Sequence, residues 1–223
     1  MTSKSPRAVL WDLDGTLVDT ADQHFAAWTD TFAPREVALE RAAFLSTFGR
    51  RNVDVLRDML GDDLSDDDVR TIGLAKEENY RARVAAAPLE TLPGVAVWLR
   101  RLRQEGWRQA IASSAPHANI AVILDSLSLR DAFEAIVGEE DVQRGKPDPQ
   151  VFLVAAAKLE APPARCIVVE DAPAGVEAAH RAGMRSIGVR SGHRHLDADL
   201  VVDSLADLPR DAFDRLLLPP RHP

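Results

Sequence analysis

The sequence predicts an α/β fold in which a parallel sheet carries an inserted block of helices after its first strand. Residues 8–11 form an apolar run typical of a buried strand. From residue 94 onward, short apolar runs alternate with helical patterns of about 10 to 12 residues. Between these parts, residues 20–86 contain helical spacing and no β-rich run. Alternating strands and helices indicate a parallel sheet covered on both faces, so the helical block is interpreted as a cap over that sheet.

Each predicted element follows from its local pattern. Apolar residues at helical spacing, from Leu39 to Ile72, indicate the helices of the insertion. After the turn at Leu92-Pro93-Gly94, the expected strands are 108–112, 135–137, 166–169, 185–189 and 200–202. The expected helices between them are 94–104, 116–127, 149–159 and 173–182. The acidic run at residues 62–68 is interpreted as a helix start with Ser65 as its N-cap, in preference to a metal site.

The length of 223 residues is long for one compact domain and short for two full ones. We therefore expect a discontinuous core domain made of residues 1–17 and 91–223. Residues 18–90 are expected to form the helical cap domain. The sequence leaves the oligomeric state open, and we expect a monomer, with a dimer as the alternative.

Composition narrows the class of protein. The chain is 46% hydrophobic and 28% charged, a balance typical of a globular protein with a core. Its net charge of −8 argues against a nucleic-acid partner, and no apolar stretch approaches the roughly 20 residues that span a membrane. The first residues lack a signal-peptide pattern, and the single cysteine, Cys166, lies in an apolar run and is expected to be an inert buried thiol. We expect a cytoplasmic protein.

Asp12 and Asp14 follow the first strand directly and precede Gly15. Alternate residues of a strand point to the same side, so two carboxylates would aim at one place and repel each other. A divalent metal beside an electrophile makes such a pair useful, and a glycine lets the main chain approach a ligand closely. By itself, the D-x-D-G pattern also fits a calcium loop or a surface turn.

The ends of the later strands test this interpretation. Ligands of open parallel sheets bind beyond the carboxyl ends of the strands. Polar residues do follow those strands: Ser113-Ser114, Lys146 and Glu170-Asp171. Several carboxylates would need a cation, and oxygen ligands favour Mg²⁺ over Zn²⁺. Ser113 supplies a hydrogen-bond donor and Lys146 a positive charge, and both complement an anion such as phosphate. Ser113 also fits a strand-end cap, and Lys146 also fits an ordinary surface lysine.

The order of these motifs resembles the haloacid dehalogenase (HAD) superfamily, in its magnesium-dependent phosphotransferase branch. The matching segments are D-L-D-G-T-L-V-D-T (12–20), Ala112-Ser113-Ser114, Lys146-Pro147 and Val169-Glu170-Asp171. The resemblance covers almost the whole chain and implies a Rossmann-like core with a helical cap.

The resemblance also implies roles. Asp12 would be the nucleophile that forms an aspartyl-phosphate, and Asp14 the general acid and base. Mg²⁺ would be held by Asp12, the backbone carbonyl of Asp14 and Asp171, with Glu170 nearby. Phosphate would be bound by Ser113, Ser114, Lys146 and the loop amides from Leu13 to Gly15. The partner would be a small phosphorylated metabolite.

The start of the insertion, from Asp19 to Trp28, resembles β-phosphoglucomutase and its phosphatase relatives. By that resemblance His24 would hydrogen-bond the general acid when the cap closes, and Thr20 would lie in the hinge. His24 also fits an ordinary polar face position. Trp28 fits a substrate contact or packing in the cap, since Phe25, Trp28 and Phe32 share helical spacing.

The substrate-reading loop departs from the mutase pattern K-G-x-S-R. This chain has Phe48-Gly49-Arg50-Arg51-Asn52, so the lysine and the final arginine are missing. A mutase must grip a second phosphate with cationic donors, and the G-R-R-N form is closer to the phosphatases. Hydrolysis of a sugar phosphate is therefore the leading prediction, with a phosphosugar mutase as the alternative.

The sequence leaves two further questions open, the role of the remaining cap cations and a non-enzymatic function. Lys76 and Arg51 are the next candidates for a second anion, and each also fits a solvated charge. A remote alternative to an enzyme is a non-catalytic phosphoacceptor or binding module, against which the length, the inserted helices and the complete set of catalytic positions argue.

Overall fold

In the computed structural model, which describes residues 5–47, 50–191 and 195–218, six parallel strands form one sheet in the order β3-β2-β1-β4-β5-β6. The strands are β1 (Ala8–Trp11), β2 (Arg108–Ala112), β3 (Ala135–Val137), β4 (Cys166–Glu170), β5 (Arg185–Val189) and β6 (Leu200–Val202). Every strand that the sequence predicts is present, and β4 is one residue longer than expected. The predicted α/β fold with a parallel sheet is confirmed.

Among the described residues, four α-helices lie between β1 and β2: α1 (Ala21–Phe32), α2 (Arg41–Thr47), α3 (Asn52–Leu60) and α4 (Asp66–Ala86). Five more follow: α5 (Val95–Gln104), α6 (His117–Ser126), α7 (Gln150–Lys158), α8 (Pro173–Arg181) and α9 (Ala212–Leu216). Ser65 caps α4 as expected, because its hydroxyl accepts a hydrogen bond from Asp68 N at 3.1 Å. The sequence analysis missed α9.

The sheet is buried on both faces. Val9 and Trp11 point to the layer that contains α5 and α6, whereas Ala8 and Leu10 point to the layer of α7 and α8. Such strands have apolar residues on both sides, which is why β1 is a continuous apolar run. Cys166 is fully buried, and burial raises the pKa of its thiol to about 12, as an inert core cysteine requires.

The inserted helices have an apolar cluster of their own. It includes Trp28, Phe32, Phe44 and Leu56, and the rings of Trp28 and Phe32 stack with their centroids 5.2 Å apart. The chain leaves the sheet layer and returns to it at neighbouring points, since Val18 forms an antiparallel bridge with Thr91. The insertion therefore starts and ends at one place, above the carboxyl ends of the strands.

No helix among the described residues is both long enough and apolar enough to cross a membrane.

Candidate active site

The parallel register brings the ends of β1, β2 and β4 to one edge of the sheet. Trp11 is paired with Ile111 on one side and with Val169 on the other. The residues that follow these positions therefore emerge together, and Asp12 N donates to Val169 O at 3.0 Å. The polar residues predicted at the strand ends therefore lie at the carboxyl edge of the sheet, where ligands of open parallel sheets bind.

Three carboxylates meet at this edge. Asp12, Glu170 and Asp171 are buried, and each offers an oxygen atom within 4.8 Å of the others. Lys146 Nζ donates to Asp12 Oδ1 at 2.6 Å and to Glu170 Oε1 at 2.5 Å. One lysine thus pairs with two of the three acids, and oxygen atoms so arranged are suited to a hard divalent cation.

Burial governs the electrostatics of this acidic cluster. It raises the pKa of Asp12 to about 8, against the opposing effect of Lys146, and Glu170 raises this pKa further. Burial also raises the pKa of Asp171 well above its ordinary value, with Glu170 and Asp12 adding to the effect. The pKa of Lys146 is raised, because its two carboxylate partners outweigh burial. A cation among these oxygens would favour their charged forms.

Two glycines let the backbone approach the acidic cluster. Gly15 has a φ of +85°, and a Cβ placed there would lie 2.2 Å from Asp171 Oδ2. A Cβ on Gly175 would lie 1.9 Å from Glu170 Oε1. No side chain fits at either position while these carboxylates keep their places. The amide of Gly15, predicted to face phosphate, donates to Val18 O at 2.7 Å.

Asp14 lies beside this cluster but has a different set of partners. Its Oδ1 accepts hydrogen bonds from Thr20 and, at 3.2 Å, from Tyr80, and His24 Nε2 is 3.6 Å away. Burial acts to raise the pKa of Asp14, but His24, Thr20 and Tyr80 together outweigh it and lower the pKa. The predicted pairing of His24 with Asp14 is therefore present as a close contact, and Thr20 acts on the same carboxylate.

Among the predicted phosphate-binding residues, the two serines line a cavity at this edge of the sheet. Ser113 is buried, and its Oγ accepts from Ala115 N at 3.1 Å. Ser113 and Ser114 line a cavity with about 580 Å³ of empty volume, part of it open to solvent, which Asp12 and Asp14 also line. Leu13 is fully buried, and its carbonyl accepts from Leu17 N at 2.9 Å.

The inserted helices form the roof of this cavity. Trp28, Asn52 and Lys76 line it. Trp28 also belongs to the apolar cluster of the insertion, so it both lines the cavity and packs among the inserted helices. Arg51 is not among the lining residues. Its guanidinium binds Asp54 and donates to Gln143 O at 3.1 Å, next to the loop of Lys146. Phe48 and Gly49 lie outside the described residues.

Lys76 corrects the sequence analysis, which allowed a solvated charge. It is 1% exposed, and its Nζ donates to Glu77 Oε1 at 2.7 Å and lies 3.0 Å from His24 Nδ1. Burial lowers the pKa of Lys76, against the effect of Glu77. Burial, followed by the charge of Lys76, also lowers the pKa of His24.

Glu77 is a residue that the sequence analysis missed. It is 4% exposed, and besides Lys76 it accepts hydrogen bonds from Asn52 at 2.6 Å and from Asn119 of α6. Arg81 donates to Asn119 Oδ1 at 3.0 Å. This connection joins α4 to α6 across the cavity. No local sequence pattern marks Glu77, because its two asparagine partners are 25 and 42 residues away.

Together, the parallel sheet, its acidic carboxyl edge and the helical roof define an α/β enzyme of the Rossmann-like type with a capped active site. The model of the haloacid dehalogenase-like hydrolases matches residues 6–183, and the chain belongs to this family.

Similar proteins support the same assignment. The chain is 35% identical over 208 residues to β-phosphoglucomutase of Bacillus subtilis (strain 168), covering 91% of each protein. It is 28% identical over 184 residues to fructose-1-phosphate phosphatase YqaB of Escherichia coli (strain K12), covering 82% of this chain and 95% of that protein. Among solved structures, CbbY from Rhodobacter sphaeroides in complex with phosphate matches with a TM-score of 0.84 and 27% identity, covering 94% of this chain and 99% of that one.

The resemblance inferred from the sequence motifs is thus confirmed, and the chain is an enzyme of this family. Its relatives are phosphatases and a phosphomutase, which act on small phosphorylated compounds.

Proposed function

We propose that this enzyme hydrolyses a small phosphorylated metabolite, in particular a sugar phosphate, through an aspartyl-phosphate on Asp12 and with Mg²⁺ as cofactor. The observation that carries the proposal is the convergence of Asp12, Glu170 and Asp171 beside Lys146, at a cavity that Asp12 and Asp14 line. Carboxylates and a lysine in this arrangement suit a phosphoryl group, whose charge needs cations around it.

The donor set fits the proposed cofactor. Asp12 and Asp171, with the Asp14 carbonyl and with Glu170 nearby, would hold the ion, and oxygen donors alone favour Mg²⁺. When bound, Mg²⁺ would offset the negative charge of the phosphoryl group and of the carboxylates around it.

The residues divide the reaction into two steps. In the first, an Asp12 oxygen attacks phosphorus, the bond from phosphorus to the substrate oxygen breaks, and Asp14 gives that oxygen its proton. In the second, Asp14 takes a proton from water, whose oxygen attacks the aspartyl-phosphate. Inorganic phosphate is then released, and the Asp12 carboxylate is restored. Lys146 and Ser113 would hold the phosphoryl oxygens in both steps.

The roof of the cavity favours hydrolysis over a mutase reaction. A mutase needs cations to grip a second phosphate. Lys76 is already bound to Glu77, Arg51 is turned toward Gln143, and Arg50 lines the cavity but is paired with Asp58 at 2.6 Å. Asn52, at the position of the mutase arginine, is neutral and binds Glu77. The β-phosphoglucomutase relative keeps the mutase reaction as the second candidate.

We also propose the division into a core of residues 1–17 and 91–223 and a cap of residues 18–90. The separate apolar cluster of the inserted helices and the bridge between Val18 and Thr91 support it.

The test is a phosphate-release screen over sugar and polyol phosphates with Mg²⁺, run beside a coupled assay that converts β-glucose 1-phosphate to glucose 6-phosphate. Free phosphate from at least one monophosphate, without isomerisation, is the expected result. Isomerisation without free phosphate would establish the mutase instead.

A further inference from the structure

One side of the cavity is lined by Glu139, an acid that the proposed reaction does not use. The helical turn Glu139–Asp141 follows β3 and contains three acids in a row. Two of them have protein partners. Glu140 accepts from His117 N with both oxygens, at 3.1 and 2.9 Å, and Asp141 binds His117 Nε2 at 2.6 Å and Lys158 at 3.0 Å. These contacts fix the turn without using Glu139.

Glu139 faces the cavity instead. It is half-buried and lines the space above Ser113 and Ser114. Its backbone amide donates to Ala115 O at 3.0 Å, which holds the residue at the edge of the site. Within residues 5–47, 50–191 and 195–218, its carboxylate has no hydrogen-bond or ion-pair partner.

The cations near Glu139 are committed elsewhere. Arg51 binds Asp54 and Gln143 O, and Lys76 binds Glu77. Burial raises the pKa of Glu139, and the charge of Glu77 raises it further. The Glu139 carboxylate is half-buried and has no protein partner among the described residues, so it can accept a hydrogen bond from a ligand that enters the cavity. A second phosphate there would meet the charges of both Glu139 and Glu77.

The neighbouring walls fit the non-phosphorylated part of a sugar. Asn52 and Asn119 are polar, while Trp28, Phe44 and Val55 give an apolar side. A sugar or polyol has both hydroxyl donors and C–H surface, so it matches such a wall. An aryl group has no hydroxyl to give to Glu139.

We propose that Glu139 is a specificity residue that accepts a hydrogen bond from a hydroxyl of the substrate, which makes the substrate class polyhydroxylated monophosphates. This inference rests on the proposed phosphohydrolase function and narrows it. A site that accepts a hydroxyl hydrogen bond discriminates strongly against compounds that lack the hydroxyl, because its own polar group is then left unpaired.

The test compares kcat/KM for glucose 6-phosphate, ribose 5-phosphate and sorbitol 6-phosphate with that for p-nitrophenyl phosphate, all with Mg²⁺. In the wild type, at least one polyhydroxylated compound should exceed the aryl phosphate. In Glu139→Ala, the ratio of sugar to aryl kcat/KM should fall about ten- to one-hundred-fold, mainly through KM. In Glu139→Gln, which keeps an acceptor oxygen, this ratio should fall less than in Glu139→Ala.

The matched control is Glu78→Gln, which changes an exposed glutamate on α4. Its ratio should equal that of the wild type. An unchanged ratio in Glu139→Ala overturns the inference, as does a wild type that hydrolyses only p-nitrophenyl phosphate, and both results leave the phosphohydrolase intact. A wild type that hydrolyses none of the four compounds removes the proposed function and this inference together.

Discussion

Replacing Glu77 by alanine tests the connection between the inserted helices and α6. Glu77 is the counter-ion of Lys76, and the two residues are only 4% and 1% exposed. Removing one partner of a buried ion pair leaves the other charge uncompensated, at a cost of about 3 to 5 kcal/mol. Asn52 and Asn119 lose an acceptor as well. We therefore expect Glu77→Ala to lose at least about 3 kcal/mol of the free energy of unfolding.

Urea unfolding followed by tryptophan fluorescence and circular dichroism measures this loss. With an m-value of about 3 kcal/mol/M, the midpoint should fall by about 1 to 1.7 M. Glu78→Ala, which alters the next and exposed residue, should stay within about 0.5 kcal/mol of the wild type. Adding Lys76→Met to Glu77→Ala removes the stranded charge and should recover part of the loss. If Glu77→Ala behaves like Glu78→Ala, the buried connection does not stabilise the protein as described.

Three other predictions concern the acidic cluster, Asp14 and the far edge of the sheet. Gly175→Ala should lower phosphatase activity at least about one hundred-fold, because its Cβ would displace Glu170. The control Gly73→Ala, whose Cβ would meet nothing closer than 3.8 Å, should keep activity and gain about 0.5 to 1 kcal/mol in helix stability. Equal activities of the two variants would contradict the packing of Gly175 against Glu170. Asp14→Asn should accumulate phosphorylated enzyme with p-nitrophenyl phosphate, whose leaving oxygen departs without a proton, because the loss of the base then slows mainly the second step. Mass spectrometry after an acid quench detects the modified Asp12 peptide, and an unmodified peptide during turnover of this compound would count against the base role. The Asp199 carboxylate contacts Ser186 N at 2.8 Å and Arg185 at 2.6 Å, and these contacts outweigh burial and lower its pKa. The charged carboxylate therefore stabilises the fold above its ordinary pKa of about 4. This contribution disappears as the pH falls through the lowered pKa. Thermal unfolding should therefore show Asp199→Asn less stable than the wild type at pH 7, with a difference that shrinks as the pH falls below about 4, and a constant difference would refute this.

The strands and the edge residues could be predicted because their signals are local. A strand buried on both faces is a continuous apolar run, and the residue after it is placed at the carboxyl edge by the sheet itself. Asp12, Ser113 and Glu170 each follow from this rule. The short helix α9 has no such signal. Its residue Phe213 packs against Trp98 and Trp107, at ring-centroid distances of 5.0 and 5.9 Å, and both tryptophans are more than 100 positions away.

The roof of the site could be predicted only in part. Lys76 looks like a polar surface residue in the sequence, but α4 packs between α1 and α6, so this face of the helix is buried. The contacts of Glu77 and the proposed role of Glu139 depend on how the inserted helices lie on the sheet, and no residue spacing encodes that arrangement. Arg51 likewise turned out to contact Gln143 rather than to line the cavity.

The rate of phosphate release by Asp12→Asn, measured with Mg²⁺ beside the wild type on the best substrate of the screen, tests the central claim most directly. The amide keeps the shape of the side chain but cannot attack phosphorus as a carboxylate does. We expect a folded variant, by circular dichroism, that releases no phosphate above background. A folded Asp12→Asn enzyme with a rate near that of the wild type would show that Asp12 is not the nucleophile.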